Sequence, residues 1–173
     1  ANDTDQEIAG NNNTVVALQH KVFSRSNIGL IYVNRQNTSN EAFVTPDEEY
    51  NRLIGLDYNL ANKDNSWNGK FFLHKSFTPN TTSNDFSGGL RLEYNRNNWR
   101  VLSSNIFVGE DFNSDLGFIP RKDIYRSFNR VERLIFPKSG IINRHIFSLG
   151  TFFVFRPELD FQKGDHTFAP RWQ

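Results

Sequence analysis

The chain of 173 residues contains no cysteine and no methionine. Without cysteine there is neither a disulfide framework nor a thiolate metal site, and redox compartment leaves no mark on the sequence. No run of about 18 apolar residues occurs, so a membrane-spanning helix is excluded, and no apolar stretch behind a basic start suggests a retained signal peptide. A dominant charge sign is missing as well. The 20 Lys and Arg nearly balance 19 Asp and Glu, so no global field draws the chain toward nucleic acid. With Ala1 in first place, the sequence reads as a processed chain or an excised segment.

What the chain does have is aromatic side chains, 14% of all residues and 17 of them Phe, in a background with a mean hydropathy of -0.60. Such a polar mean ordinarily argues for a soluble protein. A membrane β-barrel escapes that argument, because only alternate residues meet lipid while the others line a polar lumen. The stretch "DFSGGLRLEYNRNNWRV" shows the necessary pattern: Leu90, Leu92 and Tyr94 alternate with Arg91, Glu93 and Asn95. A period of two describes a strand whose faces meet different media. Ile54, Leu56, Tyr58 and Leu60 stand likewise against Gly55, Asp57 and Asn59, and Trp67, Phe71 and Leu73 against Asn68, Lys70 and His74.

Strands are expected at Thr14–Phe23, Asn27–Asn34, Tyr50–Leu60, Trp67–Lys75, Phe86–Asn95, Trp99–Val108, Tyr125–Phe136 and Arg144–Phe155. The seventh is ambiguous, since Ile124, Phe128, Val131 and Ile135 fit a helical stripe about as well. Ala1–Asn13, polar and rich in Asn, reads as a disordered arm or linker ahead of one β unit over residues 14–173. Short connections ("SRS", "ANKDNS", "RNN") alternate with longer ones, as in an up-and-down meander with tight turns at one end. The expected fold is therefore all-β, an antiparallel up-and-down meander of about eight strands forming part of a transmembrane β-barrel. The tail "RPELDFQKGDHTFAPRWQ" reads as the start of a further loop and strand, so Thr14–Phe23 and Arg144–Phe155 are expected to stay unpaired with each other.

Two barrels share this alternation: a lipocalin-like one with its apolar face inward around a ligand, and a membrane one with that face against lipid. A β-sandwich with a charged surface is the plainer alternative. Tyr50, Tyr58, Trp67, Phe86, Tyr94 and Trp99 fall near the ends of apolar faces, where rings can straddle hydrocarbon and headgroups. That favours the membrane reading.

The succession "RLIGLDYNLANKDNSWNGKFFLHKSFTP", "NNW", "VGEDFNSDLGFIPRKDIYR" and "FPKSG" resembles a family of Gram-negative outer-membrane proteins. Its members carry an N-terminal module resembling family-9 carbohydrate-binding domains, followed by a large β-barrel of unknown function. The resemblance spans most of residues 15–145 and implies a slice of that barrel, without the module, in the outer membrane of a Gram-negative bacterium. It also implies lipid or lipopolysaccharide around the wall, glycan as a solute, and other outer-membrane subunits as further partners.

Candidate site residues follow from the polar faces. Lys70, His74, Arg91 and Glu93 form a candidate binding patch in the lumen, with Asp57 as a further carboxylate. On the loop "GEDFNSDLG", Glu110, Asp111, Asn113 and Asp115 begin with the Asp-x-Asn-x-Asp spacing of a calcium loop. The pattern then breaks, with Leu116 where glycine is wanted and Lys122 where the bidentate Glu should fall, so Asx-turn chemistry is the stronger expectation and calcium the weaker. Lys122, Arg126, Arg130 and Arg133 make a basic run suited to a rim near headgroup phosphates. No nucleophile elbow, phosphate loop or zinc signature appears. The expected role is thus non-enzymatic, with no cofactor, no catalytic residue and no nucleic-acid partner. A glycan-active enzyme, lumenal or module-borne, is the outlying alternative.

Overall fold

The computed structural model describes residues 9–39, 44–81, 83–157 and 164–173. They form one antiparallel sheet of nine strands in chain order: β1 (Asn11–Val22), β2 (Ser26–Asn37), β3 (Tyr50–Ala61), β4 (Trp67–Phe77), β5 (Phe86–Arg96), β6 (Trp99–Val108), β7 (Ile124–Ile135), β8 (His145–Phe155) and β9 (Gly164–Trp172). A 3-10 turn covers Pro46–Glu48, and among the described residues no helix is long and apolar enough to cross a membrane. The meander is as expected, with nine strands instead of about eight. Asn11–Asn13 belong to β1 rather than to an arm, paired with Arg35–Asn37, while residues 1–8 lie outside the described residues. The sheet is open: β1 pairs with β2 and β9 with β8, so the expected separation of Thr14–Phe23 from Arg144–Phe155 holds, although β9 and not β8 is the far edge.

Unbroken registers put directly opposed residues on one face across all nine strands. Leu18, Leu30, Leu56 and Leu73 form one row of the apolar face, continued by Phe107 and Tyr125. The side chains of this face are uncovered: Leu18 is 63% exposed, Leu73 48%, Leu90 46% and Ile54 44%. Its charged residues, Arg52, Lys75, Arg96 and Arg133, sit within three positions of a strand end. Arg52 lies over the Tyr50 ring, Arg133 over Trp99 and Lys75 over Phe77, so each of these cations caps an aromatic. Trp67 packs on Tyr94 at 4.8 Å, and Trp172 stacks on His145 at 6.0 Å, at the turn end of the sheet.

A polar tract interrupts the apolar face where β6, β7 and β8 meet. Ser103 donates to Asn129 Oδ1 (2.7 Å), Asn105 Nδ2 to Ser103 (3.1 Å), Asn129 Nδ2 to Ser127 (3.0 Å) and the Tyr125 hydroxyl to Asn105 Oδ1 (3.1 Å). These groups satisfy one another, which lets them share a face with leucines. β7 is a strand because its apolar residues are divided: Ile124 and Phe128 go to the charged face, Val131 and Ile135 to the apolar one.

Tight turns sit at one end. Asn97 (φ 53°) and Asn65 (φ 59°) adopt the left-handed conformation there, which Asn tolerates better than most residues. In the 62–66 turn, hydrogen bonds from the Ser66 hydroxyl and backbone N–H hold the Asp64 carboxyl below its ordinary range, with Arg96 adding to the effect. At the opposite end, the Thr45 backbone N–H and hydroxyl lower the Glu48 carboxyl in the same way. The 136–144 connection departs from the short-turn pattern at its end of the sheet.

Candidate functional site

The second face carries Asp57 on β3, Lys70 and His74 on β4, Arg91 and Glu93 on β5, and Arg100, Arg126, Arg130 and Glu132 beyond them. All four residues of the expected binding patch therefore share this face, and Lys70 directly opposes Arg91. Two glycines shape it. A Cβ at Gly55 would sit 2.4 Å from His74 Cδ2, and one at Gly89 would sit 2.4 Å from Phe72 Cε1. The imidazole thus lies flat over β3 and the phenyl over β5, leaving β4 in opposite directions. Phe72 and His74 remain in ring contact at 5.0 Å.

Asp57 ties the patch together. Lys70 Nζ stands 3.5 Å from one of its oxygens and His74 Nε2 3.6 Å from the other. The latter distance is too long for a hydrogen bond, and His74 Nε2 is shut from solvent with no hydrogen-bond partner among the described residues. Arg91 Nε donates to Glu93 at 2.7 Å, and Arg100 and Arg130 both approach Glu132. Arg126 makes no such pair among the described residues. The basic run is split accordingly: Arg126 and Arg130 face this side, Arg133 the other, and Lys122 bonds Asn113 within the loop. It does not form one rim.

The long 109–123 loop folds back over the charged face. Phe112 is buried against Val33 and Leu53, with Ile31, Val108 and Ile119 around them. Buried Asn51 spans the loop backbone, donating to the Asn113 carbonyl (3.2 Å) and accepting from the Asp115 N–H (3.1 Å). Ser76 accepts from the Asn113 N–H, and Arg35 Nε meets Asp115 Oδ2 at 2.6 Å.

Of the four candidate calcium ligands, Asn113 and Asp115 are brought together, at 2.7 Å, but are also engaged by Lys122 and Arg35. Asp111 is held by its backbone N–H on the Asn84 carbonyl, and Glu110 is exposed. Among the described residues no three His, Cys, Asp or Glu side chains converge as a cation needs. The loop is held by a phenyl anchor and by Asn and Asp hydrogen bonds. Local sequence carries no direct sign of that anchor, since Phe112 stands between Asp111 and Asn113 in a stretch that reads as solvated. An isolated Phe inside an acidic loop was the available signal.

Loop and sheet enclose a cleft of about 570 Å³, walled by residues of β4–β8 and by Phe118, Ile119, Pro120 and Arg121 of the loop. A second cleft, of about 300 Å³, opens on the same face between β7 and β9 and includes Arg130, Glu132 and Arg171. Comparison with protein-family models, curated proteins and solved structures finds no match.

Proposed function

We propose that this chain is part of the wall of an outer-membrane β-barrel of a Gram-negative bacterium, non-enzymatic in itself, whose charged face binds or passes a solute such as a glycan. One observation carries the reading: an uncovered aliphatic face spans β1–β5, with its charges kept to strand ends beside aromatic rings. An exposed apolar surface of this extent is rare in a soluble monomer, whereas a charge near the bilayer midplane costs roughly 2–4 kcal/mol. The resemblance to the outer-membrane family points the same way. The open edges also fit a wall completed by further strands, because an unpaired strand edge is intolerable in hydrocarbon. The seat of the long loop on the charged face favours a lumen there over a lipocalin-like apolar interior. The test is detergent dependence. The chain should aggregate in plain buffer, enter phosphatidylcholine vesicles, and migrate differently before and after boiling. A monodisperse chain without detergent would defeat the proposal.

A further inference from the structure

We infer that the cleft beneath the 109–123 loop is a binding site for a single-chain amphiphilic carboxylate, its hydrocarbon in the cleft and its head on Arg126 and Arg121. The inference rests on the proposal that the charged face is the solute-bearing one, and it names a solute class for part of that face.

The lining decides the class. Phe72, Ile106, Phe112, Ile119, Phe152 and Val154 present hydrocarbon from three strands and the loop, inside a face otherwise crowded with ion pairs. Such an apolar pocket, of a size normal for small-molecule sites, is not what water alone requires of a lumen. Its polar lining is confined to His74, Ser87, Arg121 and Arg126, too few groups to pair the hydroxyls of a buried sugar, which would cost free energy if left unmatched. No carboxylate lines the cleft. The side chains of Arg121 and Arg126 make no ion pair or hydrogen bond among the described residues, whereas Arg91, Arg100 and Arg130 on the same face are each paired. Two unneutralised guanidinium groups at the edge of a hydrocarbon pocket complement an anionic head on an apolar body, and guanidinium engages carboxylate bidentately. Gly89 contributes by letting the Phe72 ring lie flat as part of the wall.

The test is equilibrium dialysis of radiolabelled decanoate against the full chain in phosphatidylcholine nanodiscs, with empty discs subtracted. Saturable binding at one site is expected. Decyltrimethylammonium and maltohexaose should not compete. Arg126→Gln should weaken binding by about tenfold or more, and Arg126→Lys, which keeps the charge but not the bidentate fork, should restore only part of it. Ile106→Trp, which fills the cleft, should abolish binding while leaving the boiling-dependent migration unchanged. The inference is overturned by binding no greater than in empty discs, by equal competition from the cationic amphiphile or the sugar, or by indifference to Ile106→Trp. Displacement by phosphatidic acid in the disc would reassign the site to membrane lipid and likewise overturn it. Should the chain prove water-soluble, the barrel proposal falls, and the same dialysis in plain buffer still decides the cleft.

Discussion

Removing the Phe112 ring should release the 109–123 loop from the charged face, and the structure ranks this change against the others that hold the loop. Phe112 is 6% exposed and packs on Val33 and Leu53, so Phe112→Ala should cost about 3–5 kcal/mol of docking energy. Asn51→Ala removes two hydrogen bonds to the loop backbone. Because a lifted loop regains water at those groups, the loss is nearer their net worth, about 1–3 kcal/mol. The Arg35–Asp115 pair keeps partial contact with solvent, and Arg35→Ala should cost no more than about 1 kcal/mol. The Asn113 and Asp115 amides report docking directly, since each donates across the loop interface. Hydrogen exchange followed by NMR should therefore show both amides exchanging roughly two to four powers of ten faster in Phe112→Ala, and less than about tenfold faster in Arg35→Ala. If Arg35→Ala opens the loop as much as Phe112→Ala, the anchor is electrostatic and the reasoning fails.

Leu56→Arg and Leu92→Arg each set a charge on the apolar face and should block vesicle assembly, whereas Arg91→Leu, which breaks only an exposed pair with Glu93, should assemble nearly as wild type; equal behaviour in a boiling-shift gel would show that the faces are misassigned. Gly55→Val drives a side chain into the His74 ring and should destabilise the sheet by about 1–3 kcal/mol with a changed His74 imidazole NMR signal; an unchanged signal would contradict the flat-ring geometry. For Asp64, the folded carboxyl lies below its unfolded value of about 3.9, so its contribution is fully present above that pH and is lost as the pH falls through the lowered folded value. Asp64→Asn should remove this part of the acid dependence, and melting curves between neutral and acid pH that superimpose for the two proteins would refute it.

The strands most legible from sequence are those in which one face is mainly apolar and the other mainly polar. In β3 and β5, leucines and aromatics alternate with charged, polar or glycine residues over three pairs, and in β4 only Phe72 and Gly69 blur the same pattern. β7 was harder because both faces take apolar residues there, Phe128 against β8 on one side and Val131 on the other. β9 was read only as a beginning, for Pro170 and the polar residues around Thr167 weaken its period. The charged patch was recoverable because alternation alone puts Lys70, His74, Arg91 and Glu93 on one face. The docked loop was not, since the contacts of Phe112 with Val33 and Leu53 and of Asp115 with Arg35 join residues about sixty to eighty positions apart, and no local pattern encodes such a distance. The cleft depends on the docked loop, so it was hidden for the same reason.

The Ser and Asn ladder between β6, β7 and β8 gives the sheet a mechanical polarity. Side-chain hydrogen bonds that are part-buried meet less competition for their donors, so Ser103, Asn105, Ser127 and Asn129 link β6 to β7 with more than their backbone ladder, and Asn129 Nδ2 reaches Thr151 of β8 at 3.4 Å. Aliphatic rows on β1–β5 offer no comparable clamp, because hydrocarbon neighbours exchange one contact for another at little cost when they slide. Pulled from its edges, the sheet would give way first on the β1 side, and β6–β8 would be the last strands to part.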